Sequence, residues 1–448
     1  MNRKTRHGFT LAGAALLAGG LVVGCGSGTS ATGNNAATSG NTAATSGGGP
    51  VTITWAIGQI THSNMRTQLV AAFEKAYPNI KVTIQPEASN TDTTRQQLTT
   101  SIGAGASSPD IYLGDVIWPA QFGSHSLAAP LNNMFPSSFF SRFSSGLVKG
   151  ATYNNNIYGA PFFVDTAFLF YRKDLLKKAG LPVPTTWEQL QTEAQTLQKK
   201  GLVKYGFIWQ GASYEGLTCD FSEYLADAGG SVLDSSGKPS IDSAAATKAL
   251  TYMRGLVTSG VTPNAVTTDQ ENQSMNLFAQ GNAAFLRNWS YAWSVSNDKT
   301  QSSVVGKVGV TTLPTFAGGT NHYSAVGGWD LYVNPHSKNM AADKTFIDWL
   351  TGPAAQTILV QHGELPTNAQ IASQASQIAS QSGNNSPIYG LVGKTSLVSR
   401  PDQTPNYPQL SQALYTNVNA ALAGSATVAQ ALKQAQQQIA SATSSGGL

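Results

Sequence analysis

Charge, cysteine and long apolar runs are all scarce in this 448-residue chain, and each scarcity removes a class of protein. Asp, Glu, Lys and Arg together make up only 11% of residues, so no polybasic face exists to grip nucleic acid. After Val23 no apolar run is long enough to cross a bilayer. HExxH, GxSxG and a Gly-rich phosphate loop with its lysine are all missing. The histidines beyond the first 25 residues (His62, His125, His322, His336 and His362) are scattered, and none is spaced to hold a metal from one helix. Neither a metal nor a cofactor is expected.

The two cysteines are informative by position. Arg3, Lys4 and Arg6 precede an uncharged apolar run from Phe9 to Val23, and Val22-Val23-Gly24-Cys25 follows. The run is about 15 residues, shorter than the ~20 of a spanning helix, and reads as a signal peptide over 1–24. The four-residue motif resembles a bacterial lipobox, which makes Cys25 the expected lipidation site. Cys219 is then left alone, too little for a disulfide or a zinc cluster.

Removal of the signal takes away three cations and no acid, leaving a formal charge of +1. Residues 25–50 are nearly all Gly, Ser, Thr, Ala and Asn, a composition that cannot bury enough surface to order itself. The expected arrangement is a body tethered by a lipid to the outer face of a bacterial cell membrane, weakly charged and suited to a neutral ligand.

Beyond residue 50 the pattern is strand, helix, strand, helix, strand. Val51–Ala56 and Ile80–Ile84 alternate, the stretch 64–77 carries Leu69, Val70 and Phe73 on one helical face, and Asp110–Asp115 reads as a buried strand. This alternation predicts an α/β fold with a mostly parallel sheet. Its length exceeds one ordinary core, so two lobes are expected. Asp115 falls at a strand's carboxyl end, where such sheets collect ligands. Trp187 is read as packing and Cys219 as a buried thiol. Asp220, Glu223 and Asp227 share one helical side, read as a solvated face, and Glu215 opens that helix as a weak ligand candidate.

In Arg287-Asn288-Trp289-Ser290-Tyr291-Ala292-Trp293 three aromatics alternate. They fit either the buried face of a strand or a platform for sugar rings, whose C–H faces pack on aromatic planes while their hydroxyls need fixed polar partners such as Asn288. Gly327-Gly328-Trp329 is a second such candidate.

Taken together with Ala72–Pro78, Thr91–Thr93, Asp110–Trp118, Phe170–Leu176, Gly206–Gly211, Tyr214–Leu217, Gln280–Phe285, Arg400-Pro401 and Tyr407–Ser411, these segments resemble the extracellular solute-binding proteins of ABC sugar importers, near the trehalose/maltose-binding branch. The resemblance implies a two-lobed type II periplasmic-binding fold, with 51–163 plus 326–365 as the N-terminal lobe and 164–325 plus 366–448 as the C-terminal lobe. It implies a monomer whose hinge closes on an α-linked disaccharide and which then docks on a membrane permease. The expected ligand residues are Thr91, Asp115, Asp165, Trp289, Tyr291, Gly328, Trp329 and Arg400. His62 stands where relatives often carry a glutamate, which bears on the preferred sugar. The alternative is a secreted glycoside hydrolase using Asp115 and Asp165.

Overall fold

The computed structural model describes residues 50–58 and 63–444; the signal-like segment, Cys25, most of the Gly/Ser-rich stretch and His62 lie outside the described residues. Among the described residues, no helix is long and apolar enough to cross a membrane, and no group of His, Cys, Asp and Glu is placed to hold a metal.

Two sheets carry two α/β lobes. The larger has six strands in the order Leu365–Pro366, Ala160–Asp165, Gly327–Val333, Ile111–Asp115, Val51–Gly58, Ile80–Glu87. The last three are parallel to one another, joined by the helices Ser63–Ala76 and Thr91–Gly103, as the alternating pattern predicts. Gly327–Val333 returns antiparallel between Ile111–Asp115 and Ala160–Asp165. The smaller sheet runs Val308–Thr311, Ala167–Arg172, Ala283–Trp289, Tyr205–Ile208. Thr166 alone separates the strand ending at Asp165 from the one starting at Ala167, so the chain changes sheets in a single residue.

Each sheet is packed through its apolar alternation. Ile53, Trp55, Ile57, Leu113, Phe163 and Leu331 form one core with Leu69, Phe73 and Phe346 from covering helices. Phe168, Phe170, Phe207 and Phe285 anchor the other against Trp187, Phe221 and Met253. Trp187 is buried at its helix start, and Cys219 is buried too. The helix Ala369–Gln381 packs on Pro353–His362 through Ile371, Ala375 and Val360. Tyr407–Ala423 and Val428–Ser444 form the closing helical pair.

One reading of the helix Glu215–Asp227 is corrected. Asp220 and Glu223 do not face solvent: they are 1% and 2% exposed. Both meet Arg287 from the strand Ala283–Trp289. The guanidinium spans Glu223 with Nε at 2.9 Å and Nη2 at 2.5 Å, and it reaches Asp220 and the Gln210 side-chain oxygen Oε1 through Nη1 at 2.9 and 2.7 Å. Asp227 accepts from the Trp187 indole at 3.0 Å. Acids three residues apart look alike in sequence whether they face water or a buried cation. Removing one partner of a buried ion pair strands the others, so Arg287→Ala should cost about 3–5 kcal/mol of stability, measurable by denaturant unfolding.

Candidate functional site

The register of the larger sheet assembles the site. Trp329 is paired with Asp115 and Gly327 with Asp165, bringing two acids and an indole to the same end of three adjacent strands. In the other sheet Ala167 is paired with Trp289, just past the crossover. Gly328 lies at φ +137°, and a Cβ there would sit 2.8 Å from the Phe163 carbonyl oxygen, so a side chain would push the central strand away from its neighbour. A Cβ on Gly327 would sit 2.9 Å from the Trp289 ring. The two glycines let a strand of one lobe and an indole of the other close on the same space.

That space is a cavity between the lobes, with about 80 Å³ open to the centre of a water molecule. Thr91, Asp115, Asp165, Trp289, Tyr291, Gly328, Trp329 and Arg400 all line it. Every candidate among the described residues is therefore brought together.

The polar groups are tightly held. Arg400 donates through Nη2 to Asp115 at 3.0 Å and through Nη1 to Glu215 at 2.8 Å, with Nη2 also on the Val326 carbonyl at 3.0 Å. Both arms of its fork end on protein acids. Glu215 further accepts from Ser411 at 2.6 Å and from the Tyr407 hydroxyl. Asp165 accepts from the Ser290 hydroxyl at 2.6 Å. Burial pushes the Asp165 carboxyl up to about 7, against the pull of Ser290, and burial raises Glu215 to about 7 against the attraction of Arg400. Asp330, next to Trp329 in its strand, is lifted by burial and by Asp115 and Asp402 to about 8.

Trp289 is fixed from below. The Arg287 guanidinium carbon lies 4.2 Å from its ring centroid, a cation–π contact that occupies one face of the indole.

Two expectations from the aromatic run need correction. The strand ends at Trp289 and a short helix starts at Ala292, so the alternation breaks; Trp293 lines a separate polar groove with Asn64 and His362. Asn288 is fully buried and turns to the Glu271 carbonyl at 3.3 Å. Tyr214, Gln270, Glu271 and Asn272 line the cavity as well and were not among the expected ligand residues. They begin two helices, where acids and amides normally serve as caps, and only the pairing of those helix starts across one gap distinguishes them.

The family model for bacterial extracellular solute-binding proteins matches residues 64–357. This chain belongs to that family. A probable ABC transporter-binding protein of Deinococcus radiodurans is 35% identical to this solute-binding protein over 350 residues, 76% of this chain and 81% of the relative. Maltose-bound MalE3 of T. maritima is 35% identical with a TM-score of 0.80, over 87% of this chain and 99% of its own. A solute-binding protein of Thermotoga lettingae bound with α-D-tagatose is 25% identical with a TM-score of 0.78, over 88% of this chain and 100% of its own.

The raised carboxyl groups fix a pH dependence for this solute-binding protein. Between about pH 4 and 7 the folded state keeps protons on Asp165 and Glu215 that the unfolded chain has released, so stability falls as pH rises through that window. Asp330 extends the fall to about pH 8. The melting temperature without ligand should be higher near pH 5.5 than near pH 8, as followed by differential scanning calorimetry.

Proposed function

We propose that this protein is an extracellular receptor of an ABC importer that binds an α-linked disaccharide of the trehalose or maltose type and presents it to a membrane permease. The observation that carries the reading is the convergence of Trp289, Trp329, Asp115, Asp165 and Arg400 on one cavity between two lobes. Asp115, Asp165, Glu215 and Glu271 outnumber the one cation there, and that cation is engaged by two of them. An anionic guest would meet repulsion, whereas a hydroxyl can donate to a carboxylate in a charge-assisted bond. Trp289 and Trp329 supply flat apolar planes for the C–H faces of the rings, with Tyr291 packing at their edge and Thr91 and the Gly328 backbone as polar contacts. Maltose and tagatose, the ligands of the two similar structures, are both uncharged and rich in hydroxyls.

Uptake works by closure. The lobes are 51–163 with 326–365 and 164–325 with 366–448, except that the helix Ala369–Gln381 rides on the first. The crossovers near 163–165, near 325–329 and near 363–367 act as hinges, and a guest that touches both lobes favours the closed form. Cys25 is the lipid anchor, residues 25–50 are the tether, and the protein acts as a monomer. His62, standing where relatives often carry a glutamate, tunes which sugar is preferred.

Isothermal calorimetry against trehalose, maltose and sucrose tests the proposal. One of the α-glucose disaccharides should bind and be recovered intact, and Trp289→Ala should weaken it ~30-fold, about 2 kcal/mol. Wild-type affinity in that variant removes the aromatic platform, and net hydrolysis lost in Asp115→Asn replaces the receptor with a hydrolase.

A further inference from the structure

Among the contacts that cross between the lobes, two lie side by side at the start of the helix Glu215–Asp227. The inner one is Arg400, carried on the loop before the helix Tyr407–Ala423, which reaches Asp115 of the larger sheet. The outer one is made by Asp92, in the first turn of the helix Thr91–Gly103, which covers the larger sheet. Its Oδ2 accepts the backbone N–H of Glu215 at 3.0 Å. Glu215 opens the helix Glu215–Asp227 of the other lobe.

The Asp92 contact has a clear physical basis. The first N–H groups of a helix have no partner within it, and the helix start carries a partial positive charge. Tyr214, the residue before this helix, makes no capping bond with its side chain. An acid from the opposite lobe does the capping instead. Asp92 is steadied by its own lobe, with Arg95 Nη2 at 3.3 Å from Oδ1 and its helix start capped by Asn90. Asp92 does not line the cavity, though its neighbour Thr91 does. Glu215 is the meeting point: its backbone is held by Asp92 and its carboxylate by Arg400, which in turn holds Asp115.

We propose, resting on the solute-binding reading above, that Asp92 is a positioning residue for ligand capture: it latches the lobes from outside the cavity and sets how much of the free protein is already closed. The bond to Glu215 exists only when the lobes meet, so it biases the open–closed equilibrium before any sugar arrives. A ligand that needs the closed form binds with an apparent affinity reduced by the fraction of protein not yet competent. Affinity is thereby adjustable at a side chain that never touches the ligand, with the aromatic planes and acids of the cavity unchanged.

The test uses the full chain with Asp92→Ala and the conservative Asp92→Asn, whose amide oxygen can still accept from the Glu215 N–H. Small-angle scattering reads the radius of gyration of the free and sugar-saturated protein, and calorimetry reads the affinity for whichever of trehalose or maltose the wild type binds. Asp92→Ala should enlarge the free protein only, leave the saturated radius at the wild-type value, and weaken binding about tenfold. Asp92→Asn should recover most of both. An unchanged free radius, or an enlarged one with wild-type affinity, overturns the latch. A wild type that binds neither sugar sinks the ligand reading instead, while the free radius of Asp92→Ala still decides whether the latch exists.

Discussion

One buried guanidinium governs the geometry of the second lobe and, through it, the cavity. Arg287 has no water to fall back on, so its position is dictated by Glu223 and Asp220 from the neighbouring helix and by Gln210, just past the adjacent strand. Glu223 also accepts the Ala325 N–H at 3.0 Å, which ties the crossover segment to the same cluster. The Arg287 plane underlies Trp289, so the orientation of the indole is inherited from this charge network and does not depend on the ligand to set it. A polar network of this kind gives little net stability over an apolar core, yet it admits few alternative arrangements. Here that restriction falls on an aromatic plane and on a hinge at once.

The larger sheet contributes the complementary half by register. Strand ends in α/β sheets gather ligand groups because several strands terminate side by side. The antiparallel return of Gly327–Val333 between its two neighbours sharpens this, placing Asp115 and Asp165 on either side of the strand that carries Trp329. Two adjacent glycines make the approach possible, one by its backbone conformation and one by yielding room to Trp289. Arg400 then joins the halves, holding Asp115 with one arm and Glu215 with the other.

What could be read from the sequence follows from how local each signal is. The first strands and helices were legible because alternation and helical spacing repeat within a few residues, and Asp115 was legible because a strand visibly stops there. The Arg287 cluster was not, since its partners lie 64 and 67 positions away and present an ordinary helical pattern of acids. The aromatic run misled at Trp293 because alternation carries no mark of where the strand gives way to a helix, which here is after Trp289. Glu271 and Tyr214 stand at helix starts and carry no local mark of a site. Their meaning is tertiary: two helix ends from one lobe aimed into a gap completed by the other.

The central claim is that a neutral sugar lies between the two indoles and is held at its edges by acids. A crystal structure of the protein grown with trehalose or maltose tests it most directly. The account predicts sugar rings packed between Trp289 and Trp329, with hydroxyls donating to Asp115 or Asp165. Sugar seated elsewhere, for instance against Trp293 with the Trp289–Trp329 cavity filled only by water, would contradict it.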